Sequence, residues 1–135
     1  MKSLAVLLLG LLALAAYSFG ILFSDNLHVR QGTYAHWITI TSDAIKSFPI
    51  LDPTGEPSFH YSSADGPQPS MQSVRYTSGA GVNELSTAIA SHMEAQGFRL
   101  EEQMYVRENE QIHITTEINP DASVAVTATL STWGQ

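Results

Sequence analysis

Leu4 to Phe23, LAVLLLGLLALAAYSFGILF, is a run of twenty residues without a charge. At about 1.5 Å per helical residue it spans about 30 Å, the depth of a bilayer's hydrocarbon core. Two readings compete. The run is an uncleaved transmembrane anchor, or it is a secretory signal with Lys2 as its basic start and a small-x-small cleavage site at Ala13-Leu14-Ala15 or Ser18-Phe19-Gly20. Cutting at the first site would leave Tyr17, Phe19, Ile21, Leu22 and Phe23 as an apolar stub, which favours the anchor. Lys2 and the α-amino group precede the run and Asp25 follows it, so positive-inside logic puts the N-terminus in the cytoplasm and the remainder outside. Either reading exports the same domain.

Beyond residue 24 the pattern first becomes ambiguous. Tyr34, Trp37, Ile38, Thr41, Ala44, Ile45 and Phe48 recur at helical spacing, which predicts an amphipathic helix over 34–48, whereas Tyr34, Ile38 and Ile40 also fit a strand in a β-branched run. Aromatic rings just past a membrane exit favour the interface or a partner. Packing on the domain's own core is the plainer alternative. Pro49, Pro53, Gly55 and Pro57 then punctuate the chain and set the start of the compact domain near residue 57.

From there the periodicity is regular. Phe59 and Tyr61 alternate with polar neighbours, a turn follows at Asp65-Gly66-Pro67, and Val74 and Tyr76 alternate again, predicting two strands. Val82, Leu85, Ala88, Ile89 and Met93 form one stripe of a helix over 82–96 that stops at Gly97. Phe98, Leu100, Met104 and Val106 share one parity, as do Ile112, Ile114 and Ile118, and then Val124, Val126, Ala128 and Leu130. They predict three more strands, turned at Glu108-Asn109 and Asn119-Pro120-Asp121. The fold class is α+β: an N-terminal transmembrane helix (1–24), a juxtamembrane connector (25–56) and a β-β-α-β-β-β domain (57–135) with one helix packed on an antiparallel sheet. The other face of that sheet should carry Arg99, Glu101, Gln103, Tyr105, Arg107, His113, Thr115, Glu117, Ala125, Thr127 and Thr129.

Charge narrows the function classes. The net charge is -7, and after residue 24 five Lys/Arg face thirteen Asp/Glu, leaving -8 on the part beyond the apolar run. Such a balance repels nucleic acid, whose binding needs a clustered basic patch. With no cysteine there are no disulfides, thiolate metal sites or lipid-modified cysteine.

The candidate chemistry is thin. His28, His36, His60, His92 and His113 match no metal-ligand spacing, although His60 and His113 should share the polar sheet face and would meet if their strands paired. His92 falls inside the helix's apolar stripe, where a core-edge histidine bonded to a backbone carbonyl is the simplest reading. Ser78-Gly79-Ala80-Gly81 joins a strand to a helix but has neither the lysine nor the third glycine of a phosphate loop. Glu101-Glu102 and Glu108/Glu110 flank a hairpin turn, where charge serves solubility, and Glu102 interrupts its strand's parity as at a bulge or edge. No Ser/His/Asp set is suggested by spacing.

These features predict a non-enzymatic, single-pass accessory protein without metal or cofactor, held in the bilayer through residues 4–23, with its domain in the periplasm beside a bacterial inner membrane. The expected partner is an integral membrane protein complex, and the expected contact residues are Tyr34, Trp37, Ile38 and Phe48. A free-standing envelope domain, secreted or periplasmic after signal cleavage, that binds a small ligand or peptide is the first alternative. A hydrolase with a site that spacing does not reveal is the second.

Overall fold

The computed structural model describes residues 2–134. The apolar run forms one helix, α1 (Lys2–Leu22), and its side chains are almost all exposed. It is long and apolar enough to cross a membrane, a property that an export signal shares.

Only residues 23–26 separate α1 from the sheet, because β1 (Leu27–Arg30) is already a strand. Two short helices follow, α2 (Tyr34–Thr39) and α3 (Asp43–Lys46). Then come β2 (Ser58–Ser62), β3 (Ser70–Ser78), α4 (Val82–Ala95), β4 (Arg99–Glu101), β5 (Met104–Arg107), β6 (Glu110–Ile118) and β7 (Val124–Thr132). Among the described residues the strands make one seven-stranded antiparallel sheet, in the order β1-β2-β3-β7-β6-β5-β4. The architecture is mixed α+β, with α3 and α4 packed on one face of the sheet.

Alternation explains the centre of the sheet. In β3 and β7 every second residue is buried (Gln72, Val74, Tyr76, Ser78; Val124, Val126, Ala128, Leu130), and the two strands pair over nine residues. The Leu85, Ile89 and Met93 stripe of α4 lies in the same core as Phe59, Ile112 and Val126. Gly97 ends the helix at φ +80°, a conformation that a Cβ would strain, and the Phe98 amide returns to the Met93 carbonyl at 3.0 Å.

Three expectations are corrected. The stretch 25–56 is not a connector: β1 pairs with β2, and Ile40, Ala44, Ile45 and Phe48 join the core. The helix predicted over 34–48 is two pieces. The break falls within the β-branched Thr39-Ile40-Thr41 run, where the amides of Thr41 and Ser42 donate to Gln72 Oε1 (2.9 and 3.0 Å) instead of continuing a helix. The third correction concerns parity. The strand expected over 98–106 is a hairpin, β4–β5, turned at Glu102-Gln103 with Glu102 at φ 56°. A two-residue turn pairs residue i with i+3, so the residues of one face switch from even to odd numbers. Tyr105 and Arg107 therefore share the helix-covered face with Ile112, and Met104 and Val106 lie on the opposite one. The turn at Glu108-Asn109, with Glu108 at φ 49°, switches the parity back.

Candidate partner-binding surface

The end of α1 and the start of α2 meet side by side. Thr33 caps α2, accepting from the His36 amide (3.2 Å) and donating through its hydroxyl to the Arg30 carbonyl (2.8 Å), which fixes the helix against the end of β1. This turns Tyr34 toward α1. Its ring stacks on Tyr17 (centroids 6.4 Å apart), and its hydroxyl hydrogen-bonds to Ser18 Oγ at 2.7 Å. Trp37 lies one helical turn further on, with its ring 6.3 Å from that of Tyr34.

The sheet grips the same helix end from another side. The Tyr61 hydroxyl donates to the Leu22 carbonyl (3.0 Å), the Ser63 amide to the Ser24 carbonyl (3.0 Å) and Ser62 Oγ to the Asp25 carbonyl (2.7 Å). Ile21 is buried within this junction. Burial raises the Tyr61 pKa above its ordinary value, so the hydroxyl stays protonated and a donor.

The four expected contact residues divide. Tyr34 is 41% exposed and Trp37 70%, so both present ring surface outward, and Ile38 is half-buried beside them. Phe48 is elsewhere. It is 4% exposed, in the core between α3 and α4, with its ring edge-on to His92 at 6.0 Å. The break between α2 and α3 removes Phe48 from the surface that continuous helical spacing assigned to it. Tyr17, Ser18 and Tyr61 belong to the junction and were not among the expected residues. Tyr17 and Ser18 are the polar interruption near the end of an apolar run, and that is the only local trace of their role.

The histidines occupy separate settings. His36, behind Trp37 on α2, stands edge-on to Phe59 at 4.6 Å, and its Nε2 is buried with no hydrogen-bond partner among the described residues. Burial, with a smaller push from Lys46, lowers its pKa and keeps the ring neutral. His92 meets the Ala44 carbonyl at 3.0 Å, as its place in the stripe suggested. His60 and His113 share the outer face but are kept apart by β3 and β7. His60 instead faces His28 across β1 and β2 (centroids 5.0 Å) and bonds to Asn26 Oδ1. Its pKa is lowered by burial first and by His28 second. Among the described residues no three His, Asp or Glu side chains converge as a ligand set.

The remaining candidates are occupied internally. The Gly79 amide donates to the Asp52 carbonyl (2.8 Å) and the Ala80 amide to Ser78 Oγ (3.0 Å), so these donors of the strand-to-helix loop are already used. Glu101 pairs with Arg99 (3.4 Å). Glu110 pairs with Arg107 (2.6 Å), whose guanidinium lies 4.3 Å from the centre of the Phe98 ring. Comparisons with protein families, with characterised proteins and with solved structures return no match to this chain.

Proposed function

We propose that this chain is a non-enzymatic, single-pass membrane accessory protein, anchored by α1, whose domain binds a larger integral membrane complex at the outer surface of a bacterial inner membrane. The observation that carries this reading is the junction of α1 with α2 and β2. An export signal destined for removal has no need of Tyr17, Ser18, Ile21 and Leu22 as partners of the folded domain: cleavage before Ile21 would remove Tyr17 and Ser18, the partners of Tyr34, and cleavage before Ala16 would leave these contacts to a short apolar stub without the rest of the helix.

With α1 as an anchor, a link of four residues between α1 and β1 keeps the domain close to the bilayer, where rings such as those of Tyr34 and Trp37 are favoured. A partner in the same membrane meets this surface at high effective concentration. Exposed aromatics at the centre of a contact carry much of its binding energy, which assigns Trp37 the leading role, Tyr34 and the exposed part of Ile38 supporting ones, and Phe48 none. The basic flank at Lys2, with no Lys or Arg after the helix until Arg30, supports the orientation with the domain in the periplasm.

The test is extraction of the full chain in mild detergent followed by native size separation. The wild type is expected to migrate with larger membrane proteins and Trp37→Ala to migrate alone while remaining folded. A wild-type chain that migrates alone, and gains thermal stability from a soluble ligand, would favour an independent envelope binding domain instead.

A further inference from the structure

We propose that the outer half of β6, Thr115 to Ile118, is a docking edge for an extended partner segment in which apolar residues alternate with lysine or arginine. β6 pairs with β7 along its whole length, from Glu110↔Thr132 to Ile118↔Val124. On its other side β5 is shorter. That register ends at Met104↔His113, where the chain turns back through Glu102-Gln103. Among the described residues no strand accompanies β6 past this point, so alternate N–H and C=O groups of this stretch face outward without a ladder partner.

Sheet edges are commonly blunted by proline, a bulge, extreme shortness or charged side chains, lysine above all. The other two edges follow that pattern: β4 has three residues and carries Arg99, and β1 has four and carries Arg30. Thr115-Thr116-Glu117-Ile118 carries one charge, Glu117, but belongs to a nine-residue strand with no proline, and its register with β7 is unbroken. Three of its four residues are β-branched, a composition suited to strand pairing.

The surroundings specify the occupant. On the helix-covered face Ile118 is 67% exposed, and further along that face a hollow of about 180 Å³ is lined by Ser86, Ile89, Tyr105, Ile114 and Thr116. A strand laid along the edge would direct every second side chain over this apolar strip and the intervening ones to the face that carries Glu117. Glu102 lies in the adjoining turn, and the nearby cations Arg99 and Arg107 are engaged by Glu101 and Glu110. Cationic residues in the second row complement that charge. A second copy of this chain fits less well, since it brings the same -8 domain, and antiparallel pairing of two such edges would press each copy's Glu102-Gln103 turn toward the other's Ile118. The inference does not depend on how α1 is used.

The experiment titrates the full chain, in neutral detergent, with two fluorescent eight-residue peptides, one alternating Lys with Val and the other Glu with Val. Binding is followed by polarisation, and amide hydrogen exchange is read at 115–118. The Lys-Val peptide is expected to bind and to slow exchange across Thr115–Ile118, and the Glu-Val peptide to do neither. Glu117→Lys, at an exposed position, should weaken binding roughly tenfold, since a favourable cross-strand pair becomes a like-charge pair. Ile118→Lys should also weaken it, with folding retained in both variants. The proposal is overturned if the Lys-Val peptide does not bind, if both variants bind it as the wild type does, or if exchange slows elsewhere but not at these residues. Concentration-dependent self-association abolished by Ile118→Lys would assign the edge to a second copy and overturn it as well.

Discussion

Replacing Phe48 with Ala should strongly destabilise the domain, whereas replacing Trp37 should leave its stability unchanged and weaken its binding. Phe48 is closed in by α3 and α4 and loses its contact with the His92 ring on truncation. Removing a buried phenylalanine costs about 3–5 kcal/mol, against a total of about 5–15 kcal/mol for a typical domain. For a domain of this size that is a fall in melting temperature of roughly 12–20 °C. The Trp37 ring is mostly in solvent, so its removal should change stability by no more than about 0.5 kcal/mol, or roughly 2 °C. Its removal should weaken partner binding by about 2 kcal/mol or more, roughly thirtyfold. Far-UV circular dichroism of the full chain in detergent is the suitable assay, because micelle-bound α1 gives a constant helical signal and the readout survives loss of a tryptophan. A Phe48→Ala variant that melts within 2 °C of the wild type, or a Trp37→Ala variant that falls as far as Phe48→Ala, would refute the division of this segment into core and contact residues.

Burial holds the pKa of His36 and His60 below the ordinary 6.5, so the folded state binds protons less readily than the unfolded chain. Stability should be complete above about pH 6.5 and fall as pH drops through that value toward the lower folded-state pKa values; urea midpoints between about pH 7 and 5 check this, with a shallower slope for His36→Phe. A flat profile over that window would count against neutral, buried imidazoles. Asp121, whose pKa is lowered chiefly by the Ser123 hydroxyl, acts only at more acidic pH. Gln72→Leu should leave the amides of Thr41 and Ser42 without their acceptor, at a cost of about 1–3 kcal/mol for each that stays dry; urea unfolding measures it, and an unchanged midpoint would mean that water replaces the side chain.

The sequence shows best what depends on local period. The α4 stripe, the Gly97 stop and the alternation of β3, β6 and β7 are repeated several times within one element, so single exceptions do not hide them. The β4–β5 hairpin left no such trace. Its turn uses Glu102 in the left-handed region rather than glycine or asparagine, and only the interrupted parity at Glu102 hinted at it. β1 is four residues long and is a strand because β2 lies beside it, a contact made about thirty positions away. The candidate surface was half legible for the same reason. Tyr34 and Trp37 precede the break between α2 and α3 and keep the expected outward position, whereas Phe48 follows it, and the glutamine that fixes the break lies about thirty residues further on. Tyr17 and Ser18 were visible as polar residues at the end of the apolar run, but their partner Tyr34 was fixed only by the Thr33 cap and the fold behind it.

The central claim is that α1 is retained as an anchor and as one wall of the junction. The most direct test is the intact mass and N-terminal sequence of the chain recovered from its native membrane. Retention of residues 1–23, with a mass close to the 14.7 kDa of the whole sequence, is the expected result. A mature chain that begins at Ala16 or Ile21 and is recovered in the soluble fraction would contradict it, because the length of α1 that can span a bilayer would be gone and, for a start at Ile21, Tyr17 and Ser18, the partners of Tyr34, with it.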